Sequence, residues 1–137
     1  MTLSALRDDA LSTAAGATQL RLSLPWIRSL PVSSLLDPAV RVDGTWVAPR
    51  IVLGERRLSS EALTTAGGWW YLQDRVVFEI PDAVSPGIHE VSVSFRLEIP
   101  YLPGGPEEPL RLPFSFTREL ATDTRAATVS RDVGSAA

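Results

Sequence analysis

Few side chains in this sequence could perform chemistry without help from another protein. There is no cysteine, His89 is the only histidine, and all 13 basic residues are arginine. The chain therefore offers no thiolate nucleophile, no Schiff-base amine and no cysteine-based zinc site. A catalytic or metal-binding role for His89 would need carboxylates from elsewhere in the fold, and no ligand-spaced cluster accompanies it. We predict a hydrogen-bonded or surface histidine, with no catalytic residue and no metal ligand in the chain.

Two further patterns resemble functional motifs but lack what the chemistry requires. Glu107 and Glu108 are neighbours in a stretch of glycine and proline. Catalytic carboxylate pairs need a fixed separation and a tuned environment, so we expect these two to be solvated. Gly67 and Gly68 precede bulky residues and no lysine follows them, which excludes a phosphate-binding P-loop.

The aromatic cluster Trp69-Trp70-Tyr71 is the most informative group of side chains. If this segment is a strand, Trp69 and Tyr71 share one face and Trp70 lies on the other. The rings then either fill the core and cover a sheet edge, or anchor an interface, since tryptophan, tyrosine and arginine are enriched at binding hot spots. Stacking against a sugar ring is a third possibility. The candidate residues for a partner interface or active-site rim are Trp26, Arg28, Trp69, Trp70, Tyr71 and Tyr101.

The elements that must position these side chains are strands. Apolar and polar residues alternate over residues 19–24, 89–99 and 110–116, and residues 75–80 are rich in β-branched and aromatic types. Asp43-Gly44 between two β-rich runs predicts a hairpin with a type I′ turn. Residues 59–63 could form one helical turn capped by a serine. Many short strands with little helix predict an all-β fold, an antiparallel β-sandwich.

Prolines predict where some strands end and which strand lies at a sheet edge. Pro25 and Pro100, each followed by an aromatic residue, are expected to end their strands, and Pro113 predicts an edge strand. Residues 51–53 are expected to continue the meander that begins at the hairpin, and residues 104–109 to form an exposed loop. We divide the chain into a short N-terminal arm (1–18), a β-sandwich domain (19–120) and a flexible, disordered C-terminal tail (121–137).

Composition limits the classes of partner. The formal net charge is −3 and the arginines are scattered, without the basic stripe that a nucleic-acid-binding protein carries. No signal peptide and no apolar stretch of transmembrane length are visible, so we expect a soluble, cytoplasmic protein with no membrane contact. The use of arginine in place of lysine indicates a GC-rich bacterial genome.

Four stretches together resemble the small (β) subunits of bacterial C-glycoside deglycosidases. RLSLPWIRSLPVSS (residues 21–34) resembles an R-L-x-L-P-aromatic-x-R-S-L-P-L-S motif, and the hairpin VRVDG (40–44) follows at the matching place. PGIHEVSV (86–93) is similar to P-G-x-H-E-V-x-V, and RLEIPYLP (96–103) to R-L-x-I-x-Y-L-P. Their order and spacing, rather than any single stretch, carry the resemblance.

The resemblance implies a β-sandwich that pairs with a larger (β/α)-barrel subunit. That partner would carry Mn²⁺ or Mg²⁺ and the catalytic histidine, while this chain stabilises it and frames the active-site entrance. The complex would cleave the C–C bond between sugar and aglycone in 3-keto C-glycosides, because the keto group acidifies a neighbouring proton and permits elimination. His89 would then belong to a strand motif.

Two alternatives of other classes remain open. The chain could be a stand-alone carbohydrate-binding sandwich that stacks sugars on its exposed aromatics, or a structural oligomerisation domain that self-associates. The scarcity of catalytic side chains agrees with all three functions, so only the resemblance favours the accessory subunit.

Overall fold

The computed structural model describes residues 5–125 and 130–134 of the chain. In these ranges the chain is built almost entirely from strands, with one turn of α-helix and one short 3₁₀ helix (Val32–Ser34). The elements in chain order are β1 (Leu11–Ala14), β2 (Ala17–Ser23), β3 (Leu30–Pro31), β4 (Leu35–Val42), β5 (Thr45–Val47), β6 (Arg50–Leu53), β7 (Arg56–Leu58), α1 (Ser60–Leu63), β8 (Trp69–Trp70), β9 (Arg75–Pro81), β10 (Ile88–Gly105) and β11 (Glu108–Ala121).

The strands form two main antiparallel sheets that share one core. The first sheet has the order β1-β2-β9-β6-β7 and the second β11-β10-β4-β5, while β3 and β8 form a short separate ladder. Buried side chains from both sheets belong to a single hydrophobic cluster. The predicted all-β, antiparallel sandwich is confirmed. In the described ranges, no helix is long and apolar enough to cross a membrane.

The alternation seen in the sequence defines the core face of each long strand. Leu20 and Leu22 of β2 are buried opposite Phe78 and Val76 of β9. The same period continues along the first part of β10, where the buried residues are Val91, Val93, Phe95, Leu97 and Ile99. Because successive side chains of a strand point to opposite faces, the intervening residues carry the polar surface.

The two predicted local motifs are confirmed. Asp43 and Gly44 connect β4 to β5 with φ values of 53° and 101°, as a type I′ turn requires. Ser59 caps α1, because its side-chain oxygen accepts a hydrogen bond from the backbone N–H of Ala62 at 3.1 Å. Both motifs depend on neighbouring residues alone, which is why the sequence was sufficient to find them.

The expected meander after the hairpin is wrong. β6 does not pair with β5 but crosses to the other sheet, where Ile51 lies opposite Phe78 of β9. The link between β5 and β6 contains Pro49, which has no N–H to donate to a ladder. The crossing buries Ile51 and Leu53 in the shared core, a gain that only the assembled sandwich provides.

Pro25 and Pro100 differ in their effects. β2 ends at Ser23, before Pro25, as expected, but β10 continues through Pro100 to Gly105. The ladder between β10 and β4 stops at the pair Leu97–Leu35, so beyond that point the missing N–H of Pro100 breaks no bond to β4. The predicted loop at 104–109 is instead the tip of a β-hairpin, in which β10 and β11 stay paired with shifts of register. The prediction that Pro113 lies on an edge strand is confirmed, since β11 ends its sheet.

Both ends of the described chain contact strands of the sandwich. β1 lies within the predicted arm and pairs with β2 through Leu11 and Leu20. Residues 130–134, expected to be disordered, run beside Arg75, whose N–H and C=O bond the backbone of Arg131 and Val133 at 2.8 Å each. Val133 is buried, so this segment adds to the core. Residues 1–4, 126–129 and 135–137 of the predicted arm and tail lie outside the described residues.

Candidate functional site

The topology brings the predicted site residues to one end of the sandwich. The end of β2 lies opposite the start of β9 through the pair Ser23–Arg75, and Leu30 of β3 pairs with Trp70 of β8. The hairpin formed by β10 and β11 extends past the start of β4. We call the surface formed by residues 24–31, 69–74 and 98–110 the aromatic end.

Three of the predicted residues contact one another there. The indole Nε1–H of Trp26 donates to the hydroxyl oxygen of Tyr101 at 2.6 Å. The guanidinium of Arg28 lies over the ring of Tyr101, 4.9 Å from its centroid, in cation–π geometry. The loop after β2 is thereby held against the projecting hairpin. The sequence identified all three residues but could not pair them, because they come from segments 75 residues apart.

The aromatic cluster formed by β8 and the residue after it divides as the predicted alternation indicates. Trp69 and Tyr71 are exposed, whereas Trp70 is fully buried and its Nε1–H donates to the carbonyl oxygen of Asp74 at 2.9 Å. The ring of Trp70, predicted as an interface or rim residue, belongs to the core in this structure and offers no exposed surface to a partner. Its hydrogen bond instead holds the turn that carries Tyr71.

Exposed aliphatic side chains accompany the rings and were not singled out from the sequence. Ile27 lies between Trp26 and Arg28, while Leu72 and Leu102 flank Tyr71 and Tyr101 in the chain, and all three aliphatics are exposed. Ile27 and Leu72 lie outside the strands, so no strand period predicts their exposure. Leu102 lies in β10 where the register with β11 shifts, which interrupts the alternation. Together with the rings they make the aromatic end an apolar surface of the kind that marks interaction sites.

An open groove of about 630 Å³ lies at the same end. One part of its lining comes from the segment after β8 and the other from the segment that runs beside Arg75. Its lining residues are Trp69, Tyr71, Leu72, Gln73, Asp74, Arg131, Asp132 and Gly134. The sequence missed Arg131 and Asp132 because they fell in the expected disordered tail.

His89 lies at the opposite end and is engaged on both ring nitrogens. Nδ1 contacts the carboxylate of Asp43 and Nε2 lies 2.7 Å from the carbonyl oxygen of Ser85. Both partners are acceptors, so the carbonyl of Ser85 and then the carboxylate of Asp43 raise the pKa of His89. The same contact lowers the pKa of Asp43. This histidine is a buried structural link between the β4–β5 turn and the segment that precedes β10.

The acidic residues form no candidate metal site in the part of the chain that the structure describes. Glu107 and Glu108 are exposed at the tip of the β10–β11 hairpin. Over residues 5–125 and 130–134, no group of three histidine or acidic side chains is placed to hold a metal ion.

These observations define a small antiparallel β-sandwich with exposed apolar side chains and an open groove at one end. No family model matches the sequence. The chain is 38% identical over 102 residues to the 3'-dehydrocarminate deglycosidase beta subunit of a Microbacterium species, covering 70% of this chain and 76% of the relative. It is 34% identical over 104 residues to the C-glycoside deglycosidase beta subunit of Arthrobacter globiformis, covering 71% and 79%. A further C-glycoside deglycosidase beta subunit, from Microbacterium trichothecenolyticum, is 29% identical over 103 residues.

The chain therefore belongs to the family of C-glycoside deglycosidase beta subunits, and the resemblance found in the sequence is confirmed. The relatives are named as beta subunits, which implies a subunit role in a heteromeric complex.

Proposed function

We propose that this chain is the accessory β subunit of a heteromeric, metal-dependent C-glycoside deglycosidase that works in the cytoplasm. Its partner is a larger (β/α)-barrel subunit that carries out the catalysis. The complex cleaves the C–C bond between sugar and aglycone in 3-keto C-glycosides by elimination, as a carbon–carbon lyase. The names of the relatives support the assignment to a deglycosidase.

The observation that carries the proposal is the convergence of Trp26, Arg28 and Tyr101 on an exposed end of the sandwich. The indole and the phenol are linked by a hydrogen bond, so little side-chain freedom remains to be lost when a partner docks. Ile27 and Leu102 extend the apolar area beside them. Burial of this surface by the barrel subunit stabilises both proteins and excludes water from the entrance of the active site.

We assign the divalent cation of this proposal, Mn²⁺ or Mg²⁺, to the partner. The described residues do not fit a metal site, because His89 is occupied on both nitrogens and no three-ligand group lies within the described ranges. The proposed contribution of this chain is to bind the catalytic subunit and to position the rim of the entrance, with no catalytic residue of its own.

Co-expression with a (β/α)-barrel protein from the same genome tests the assembly. We expect co-elution on size exclusion, and cleavage of a 3-keto C-glycoside in the presence of Mn²⁺ that neither chain shows alone. Two well-folded proteins that elute separately with no gain in activity would contradict the proposal. Self-association of this chain without a partner would instead support an oligomerisation domain.

A matched pair of substitutions tests which end of the sandwich is the interface. Ile27 and Ile88 are equally exposed, at 71% and 70%, but lie at opposite ends. Ile27→Asp places a charge in the proposed interface and should abolish co-elution, whereas Ile88→Asp should leave it intact. Loss of co-elution in Ile88→Asp but not in Ile27→Asp would show that the interface lies at the His89 end, and the proposed subunit role would still hold.

A further inference from the structure

The groove at the aromatic end differs in chemistry from the apolar surface beside it. Two exposed rings, Trp69 and Tyr71, contribute to its lining. Four of its other lining residues have hydrogen-bonding side chains, namely Gln73, Asp74, Arg131 and Asp132. Aspartate is depleted at the centre of protein–protein interfaces, so the presence of Asp74 and Asp132 in the lining favours a small polar ligand over a protein partner.

Both walls of the groove are fixed before a ligand arrives. The turn from Tyr71 to Asp74 is closed by the Asp74 N–H donating to the Tyr71 carbonyl at 2.9 Å. The buried indole of Trp70 holds it from beneath through its bond to the Asp74 carbonyl. A turn that is bonded at two points keeps its backbone in place without help from a ligand, so the positions from which its side chains project are preset.

The opposite wall is held by the C-terminal segment. Arg21 donates two hydrogen bonds to the carboxylate of Asp132, from Nε to Oδ1 at 3.0 Å and from Nη2 to Oδ2 at 3.3 Å. Gly134 packs so closely on the turn between β6 and β7 that a Cβ there would lie 3.0 Å from the backbone of Gly54. A preformed site loses less conformational entropy on binding, which favours affinity.

Charge and size narrow the class of ligand. The carboxylate of Asp132 is paired with Arg21, and Arg131 balances Asp74, so the groove carries no net charge that would select an ion. Its volume of about 630 Å³ lies in the usual range for small-molecule sites. A neutral ligand with an apolar ring face and several hydroxyl groups satisfies both the rings and the polar side chains.

We propose that the groove lined by Trp69, Tyr71, Asp74 and Arg131 binds a neutral saccharide or glycoside. The C–H face of a pyranose ring stacks on Trp69 or Tyr71, and its hydroxyl groups donate to Asp74 and accept from Arg131. The groove is open to solvent, so we expect dissociation constants in the range of about millimolar. The inference concerns this chain alone and holds whether or not it assembles with a barrel subunit.

Saturation-transfer NMR on the full chain with methyl β-D-glucopyranoside tests the site. We expect saturable binding that Trp69→Ala weakens at least about tenfold. Trp46→Ala is the matched control, because Trp46 is similarly exposed, 46% against 53% for Trp69, but lies on β5 beneath Arg41. Asp74→Asn should also weaken binding, and circular dichroism shows whether each variant is folded.

Three results would overturn the inference. They are no saturable transfer to the wild-type chain, equal loss in the Trp69→Ala and Trp46→Ala variants, and loss of assembly in Trp69→Ala without any sugar binding in the wild type. The last result would assign the groove to the protein interface. Sugar binding by a chain that does not assemble would instead contradict only the subunit proposal, so the two failures can be told apart.

Discussion

Asp8 and Asp9 form two ion pairs that differ mainly in burial. Asp9 accepts from Nη1 of Arg75 at 2.8 Å, and the side chains of this pair are only 11% and 7% exposed. Asp8 pairs with Arg118, but its side chain is 71% exposed. Because the two aspartates are adjacent in the chain, the same substitution at each position isolates the effect of burial.

We predict that Asp9→Asn costs about 3 kcal/mol of unfolding free energy. Removing one charge of a buried pair leaves the other uncompensated, which costs about 3–5 kcal/mol, and the amide oxygen of asparagine recovers part of this as a neutral acceptor. Asp8→Asn should cost less than about 1 kcal/mol, as expected for an exposed pair. For a domain of this size the larger loss lowers the melting temperature by about 10 °C.

Urea denaturation followed by circular dichroism measures both variants against the wild type. The free energy of unfolding of the wild type is expected to lie in the usual range of about 5–15 kcal/mol, so a loss of about 3 kcal/mol is readily resolved. Equal effects of the two substitutions, or a loss below about 1 kcal/mol for Asp9→Asn, would refute the argument. Either result would mean that the segment carrying Asp9 does not shield the pair from water.

The remaining predictions concern the C-terminal segment, the histidine link and the interface. Gly134→Ala should destabilise the fold more than Gly16→Ala. Both glycines have positive φ, but of the two only Gly134 has backbone atoms 3.0 Å from the position of an added Cβ. Limited proteolysis should therefore cut the Gly134→Ala variant faster. The pKa of His89 is raised in the folded state, so its stabilisation should be complete below the unfolded value of about 6.5 and should be lost as pH rises through the folded pKa. The pKa of Asp43 is lowered in the folded state, so its contribution to the free energy of unfolding should be lost as pH falls through its folded pKa. Denaturation of the wild type and of the His89→Gln variant at a series of pH values checks the direction of both effects. Tyr101→Ala should weaken binding of the barrel subunit by about 2 kcal/mol in titration calorimetry while leaving the fold intact, and an unchanged affinity would exclude Tyr101 from the interface.

Local patterns in the sequence determined much of the fold. The alternation of apolar and polar residues in β2 and β10 fixed which side chains share a face, because the strand period is two. Asp43-Gly44 specified its hairpin and Ser59 its helix cap, since each motif is satisfied by near neighbours. The ordered stretches also indicated the family, which the relatives confirm.

Pairings between distant segments were decided only by the tertiary structure. The sequence placed Trp69 and Trp70 on opposite faces but could not say which face meets the core. It gave no reason for the bond between Trp26 and Tyr101, or for residues 130–134 to dock beside Arg75. These contacts form only when the sandwich has brought remote strands together, and their stabilisation depends on burial that no local window of sequence contains. The groove is the clearest case, because one of its walls comes from a segment that composition alone assigns to disorder.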